Sequence, residues 1–148
     1  GEEPYTCVVS PGMPEGAAIN NFWSAAAKLT LVGFNCLAFD LPVLLRRSLY
    51  LGVPVPLIQI DRFKHPRVVD LMDELSYSGK LRLRGLAFYC RRFGIPHDDS
   101  VDGSQIAGLV AAGDWAAVEG HVRADVTATA ALAARCGLIY APAQEPVF

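Results

Sequence analysis

Residues Leu29 to Phe34, Leu-Thr-Leu-Val-Gly-Phe, form an apolar run of strand-forming character, and its flanks leave few folds open. A run that is apolar on successive rather than alternate positions must be covered on both faces, which is the condition of a strand inside a parallel sheet. Upstream, Glu15 to Lys28 places Ile19, Phe22, Trp23 and Ala26 at helical spacing, so an amphipathic helix is expected there. Before it, Thr6 to Ser10 reads as a short strand stopped by the turn signal Ser10-Pro11-Gly12. Strand, helix, strand is the grammar of an α/β sheet. With 148 residues, 52% of them hydrophobic, the chain has the size and apolar content of a single domain over residues 1–148.

The pattern continues in the same style. Asp40 is expected to cap a helix from Leu41 to Leu51, with Pro42 in its first turn and Gly52 at its end. A proline-broken connection from Val53 to Pro66 leads to a short strand, Arg67 to Leu71, that runs into a helix-like turn. Leu83 to Phe93 reads as a helix with Leu86, Ala87, Cys90 and Phe93 on one side and Gly94 at its close. Ser104 to Ala112 is a further short helix. Asp114 then caps a long one that runs to about Arg135 and stops at Gly137.

Several function classes drop out. The apolar stretches fall short of the roughly 20 residues that cross a bilayer, and Pro42, Arg46, Arg47, Pro54 and Pro56 interrupt them, so no membrane partner is expected. Gly1-Glu2-Glu3-Pro4 has neither a basic start nor an apolar signal core. Cys7, Cys36, Cys90 and Cys136 are widely spaced and form no Cys-x-x-Cys pair, which reads as reduced thiols of a cytoplasmic protein rather than a zinc site or disulfide frame. Charge is divided unevenly along the chain. Leu41 to His97 carries ten Lys/Arg against four Asp/Glu, while the rest carries three against eleven. Such a division suits acids that hold cations and bases that hold a polyanion.

The residues that can carry chemistry sit at two places. Gly33-Phe34-Asn35-Cys36-Leu37-Ala38-Phe39-Asp40 takes the apolar strand through a short turn to an acid at a helix start, the sheet edge where α/β proteins build their sites. His121 and Asp125 are four residues apart on the long helix and share a face. Val118, Val122 and Val126 are expected to turn that face toward the core or a cleft, where a carboxylate must be paired or bind metal. Lys80, Arg82, Arg84, Arg91 and Arg92 cluster without an acid between Leu75 and His97, near Tyr77, Phe88 and Tyr89; cationic grooves with aromatic platforms hold single-stranded nucleic acid. His97-Asp98-Asp99 lies in a Gly/Pro-bounded loop and reads as surface polar sequence. Asp70 is read as a helix cap, with an inward acid near the cleft as the alternative.

Two segments together resemble the second and third motifs of the DnaQ-like, or DEDD, 3'-5' exonuclease superfamily, in the branch related to family B DNA polymerase proofreading domains. One is Leu31 to Leu44, in which Asn35 precedes Phe39-Asp40. The other is Val101-Asp-Gly-Ser-Gln-Ile, Gly113-Asp-Trp and His121 to Thr129. The resemblance, from about Asn20 to Gly137, implies a ribonuclease H-like fold, a mixed central sheet flanked by helices. It implies two divalent cations, Mg²⁺ or Mn²⁺, about 4 Å apart, that clamp the scissile phosphate. Asp40 and Asp125 would be metal ligands, and His121 would position or deprotonate the water. The substrate would be nucleic acid with a free 3' end, with Asn35 and Phe39 shaping the cleft and Arg82, Arg84 and Arg91 binding the strand.

Two features depart from the superfamily pattern. Three residues separate His121 from Asp125, the spacing of the Tyr-bearing subgroup, whereas the His-bearing subgroup has a longer gap. The first motif, Asp-x-Glu on a first strand, is absent, and Glu2-Glu3 does not supply it. One or two strands are therefore expected upstream of Gly1, and residues 1–148 alone are expected to hydrolyse poorly. The alternative is a catalytically degenerate nucleic-acid-binding domain of the same fold.

Overall fold

The structure is a computed structural model that describes residues 12–56, 67–97 and 100–137. The strand expected at Thr6 to Ser10 lies outside these residues, as do Asp98 and Asp99. Two compact units divide the described chain, residues 12–83 in the first and 84–137 in the second.

The first unit has α/β character. Helix α1, Glu15–Ala26, leads to strand β1, Leu31–Gly33, then to helix α2, Asp40–Leu51, strand β2, Val68–Asp70, and the short helix α3, Leu71–Leu75. Strands β1 and β2 pair in parallel with Leu31 beside Val68 and Gly33 beside Asp70. The apolar run at Leu29 to Phe34 is thus a strand at its centre. Helix α1 buries Ile19, Trp23 and Ala26, the expected stripe, against Cys36, Leu41 and Val68. Burial leaves the Trp23 indole N–H in need of a partner. It donates to Ser48 Oγ at 2.8 Å, and that hydroxyl donates to the Leu44 carbonyl at 2.7 Å, so the buried polar pair joining α1 to α2 is satisfied. Arg67 closes the end of α1 by donating to the carbonyls of Ala26 and Leu29. Glu15 and Arg47 add an exposed ion pair across α1 and α2, of a kind that contributes little.

One expectation is corrected here. Asp40 does not cap α2: Phe39 occupies the cap position, no side chain among the described residues caps the helix, and Asp40 is its first residue. An acid in the first turn still complements the helix dipole. Gly52 ends the helix in the left-handed conformation, as anticipated.

Gly33 has a separate reason to be glycine. A Cβ there would lie 2.6 Å from Cys36 Cβ and 2.8 Å from Cys36 Sγ. Gly33→Ala is accordingly expected to destabilise the first unit by about 1–3 kcal/mol, because the turn must move to admit the methyl group. Chemical denaturation of the pure variant checks this, and an unchanged midpoint would contradict the close approach.

The second unit is helical: α4, Leu86–Phe93, a 3-10 turn at Gly103–Gln105, α5, Ile106–Ala112, and α6, Trp115–Arg135. Helices α4 and α5 both pack on α6. Tyr89 and Cys90 on α4 and Ala128, Leu132 and Ala133 on α6 are buried. Asp114 caps α6 by accepting from the Ala117 N–H, as expected. Asp102 and Gln105 form a reciprocal capping box at the 3-10 turn. The expected valine stripe does not turn inward, since Val122 and Val126 are 52% and 55% exposed; α6 packs through the small residues toward its C-terminal half. No described helix is long and apolar enough to cross a membrane.

Candidate active site

The C-terminal ends of β1 and β2 lie side by side, so the turn that follows β1 starts beside Asp70. The chain enters that turn through Asn35 at φ 61°, a left-handed conformation that Asn tolerates better than most side chains. A single buried carboxylate then fastens it. Asp70 Oδ1 accepts from the Asn35 N–H at 2.8 Å and the Met72 N–H at 3.0 Å, and Oδ2 accepts from the Leu37 N–H at 2.9 Å. The cap role expected of Asp70 is present in the Met72 bond. The other two bonds reach back 35 and 33 residues, so the same group caps α3 and shapes the turn that presents Asp40.

Asp40 follows that turn with its surface open to solvent. Surrounding protein still pushes its carboxyl above the ordinary value, chiefly by desolvation, with the negative charge of Asp70 adding to the rise. A carboxylate in this field gains from a nearby cation. Asp70 already spends its oxygens on three N–H donors, so Asp40 is the member of the pair with lone pairs to offer. Phe39, beside it, is 63% exposed.

Cys36 lies under the same turn. Burial, then the charges of Asp70 and Asp40, push its thiol up to about 12 from 9.0. The folded state therefore holds this proton more tightly than the unfolded chain. Its contribution to stability is complete below pH 9 and is lost as pH rises toward 12. Cys36 is expected to resist iodoacetamide at about pH 8.5 in the folded protein and to react once denatured. Mass spectrometry of the alkylated peptides reads this directly, and native labelling of Cys36 at the denatured rate would refute it.

In the second unit, Asp125 stands between two imidazoles. His97 Nε2 is 2.9 Å from Asp125 Oδ1, and His121 Nε2 is 3.6 Å from Oδ2. The His97 and His121 side chains are 7% and 14% exposed, whereas Asp125 is 43% exposed. Nε2 is the His121 nitrogen that faces Asp125, and Nδ1 is buried with no hydrogen-bond partner among the described residues. Asp102 lies within electrostatic reach of His121: its carboxyl is held below the ordinary value mainly by the Ser104 hydrogen bond, with His121 contributing. The surface reading of His97 is corrected, because its ring is packed away and bonded to an acid 28 residues further on. Nothing local in the Gly/Pro-bounded loop signals that partner.

These two carboxylates, each with its own neighbours, are the two acids that the resemblance singles out. A family described as a predicted 3'-5' exonuclease related to the exonuclease domain of PolB matches residues 7–145. The chain belongs to that family. No curated protein and no solved structure matches it.

Exonucleases of this kind usually act with divalent metals, and the donor set can be tested for such ions. Mg²⁺ and Mn²⁺ select oxygen ligands, and Asp40 and Asp125 each present a carboxylate with solvent access. Among the described residues, no group of three or more His, Cys, Asp or Glu side chains is arranged to hold an ion. Each carboxylate therefore fits a hard cation as one ligand, and the remaining oxygens would come from water and phosphate, the usual habit of Mg²⁺. Asp40 belongs to the first unit and Asp125 to the second.

The basic residues are likewise divided between the units. Lys80 and Arg82 lie in the first unit, Arg84, Arg91 and Arg92 in the second, and all are exposed. The guanidinium groups of Arg84 and Arg92 lie over the Phe88 ring at 4.9 and 5.5 Å from its centroid. Stacking restricts both cations to a defined place on α4.

Proposed function

We propose that the chain is the catalytic domain of a 3'-5' exonuclease with a ribonuclease H-like fold, acting on single-stranded DNA with a free 3' end. The observation that carries this reading is Asp125. In a chain of this exonuclease family, a half-exposed carboxylate has one oxygen bonded to a buried histidine and the other beside a second histidine.

Asp40 and Asp125 would each be a ligand to a divalent cation, Mg²⁺ or Mn²⁺. The cations supply positive charge that polarises the phosphate and makes water a better nucleophile. His121 Nε2, the nitrogen turned toward Asp125, takes the proton of the attacking water as a general base. The exposed Phe39 ring offers a stacking surface to the terminal base, and Asn35 lies in the same turn with an amide for hydrogen bonding. Arg82, Arg84 and Arg91 would hold backbone phosphates of the strand. Two carboxylates do not close around two cations, so the reading calls for further acidic ligands beyond these.

A second reading is a nucleic-acid-binding domain of the same fold without hydrolysis. It is favoured by the His97 bond, which occupies one oxygen of Asp125. A 5'-labelled single strand incubated with Mg²⁺ or Mn²⁺ separates the two. The exonuclease reading expects a ladder of progressively shortened strands. Retarded but intact strands would establish the second reading.

A further inference from the structure

The exonuclease mechanism outlined above assigns nothing to His97. Its ring is nevertheless the more buried of the two that flank Asp125, and its bond is the shorter, 2.9 Å against 3.6 Å. A carboxylate on a helix turns freely about its terminal torsion unless one oxygen is fixed. With Oδ1 engaged by His97 Nε2, the orientation of Oδ2 is set, and Oδ2 is the oxygen that lies beside His121 Nε2. The partial exposure of the Asp125 side chain keeps the carboxylate approachable from solvent.

We infer that His97 is a positioning residue for Asp125: its Nε2–H fixes one carboxylate oxygen, so that the other is presented to a divalent cation beside His121. This inference rests on the exonuclease reading of Asp125. Groups that orient a metal ligand from behind commonly change metal affinity by tenfold or more when removed, although they never touch the ion.

Titration of the full chain with Mn²⁺, reading free Mn²⁺ by its electron paramagnetic resonance signal, tests the inference without relying on turnover. His97→Ala is expected to weaken Mn²⁺ binding by about 10–100-fold, and His97→Gln, which keeps an N–H donor near the Nε2 position, to restore it to within roughly threefold of the unaltered chain. Far-ultraviolet circular dichroism confirms that each variant is folded. Equal affinity in His97→Ala and the unaltered chain, with binding lost in Asp125→Ala, would overturn the positioning role and leave the exonuclease reading standing. Equal loss in the Ala and Gln variants would also overturn it, because the donated hydrogen bond would not be what matters. If Asp125→Ala binds no less than the unaltered chain, Asp125 holds no cation and both fall.

Discussion

Asp125→Asn is expected to lower the rate of 3'-end hydrolysis by on the order of 10³-fold or more, the kinetic equivalent of several kcal/mol of lost charge stabilisation in the transition state. Asn keeps the shape of the side chain and a carbonyl oxygen that can accept from His97 Nε2, so the fold should be little affected. Asp125→Ala is expected to lose activity to the same extent and also to cost about 1–3 kcal/mol of stability, since His97 Nε2 would be left buried without its acceptor. Comparing the two variants in one activity assay and one denaturation experiment separates the charge of Asp125 from its bond. Full activity in Asp125→Asn would remove this residue from the chemistry.

The largest effect on stability is expected at Asp70. Its carboxylate accepts three backbone N–H bonds, and Asp70→Ala strands all three donors in or near the interior. Each abandoned donor carries a desolvation penalty, and the combined loss is expected at about 3–5 kcal/mol. Asp70→Asn retains one oxygen acceptor but turns an NH₂ group toward an N–H donor, so its expected cost is about 1–3 kcal/mol. Trp23 provides the probe: it is 2% exposed in the core of the same unit, and its fluorescence shifts to the red when that unit opens. A urea titration showing Asp70→Ala within about 0.5 kcal/mol of the unaltered protein would mean that the turn is held by something else.

Much of this molecule is legible in its residue pattern, and the exceptions share one cause. Local signals served well where the determinant is local. The stripe of Ile19, Trp23 and Ala26 on α1, the left-handed glycines Gly52 and Gly94, and the Asp114 cap all follow from residues within a few positions of one another. Partners distant in sequence are where the reading ran short. Asp70 has a local cap bond, which is visible, and two bonds to a turn more than thirty residues upstream, which are not. His97 looks like loop sequence because its acceptor lies on another helix. Asp40 looks like a cap because it precedes a helical pattern, but the turn before it is fastened by Asp70 and the helix begins without a side-chain cap. The valines of α6 share a face as their spacing requires; spacing alone does not say which face packs, and the helix buries Ala128, Leu132 and Ala133 instead.

For the candidate site, Asp40, His121 and Asp125 were singled out in the sequence by the strand-turn-acid unit and the four-residue interval taken together with the family resemblance. The flanking imidazole of His97 and the clamp at Asp70 depend on partners distant in sequence.

The measurement that tests the exonuclease reading most directly is the fate of a label on the terminal 3' nucleotide of a single-stranded DNA. The protein is incubated with Mn²⁺ and compared with its Asp125→Asn variant. Early release of the label as a free mononucleotide, dependent on the cation, stopped by a blocked 3' end and lost in Asp125→Asn, is the predicted result. Release of the label within longer fragments, release that survives Asp125→Asn, or strands that are bound but never shortened would contradict it.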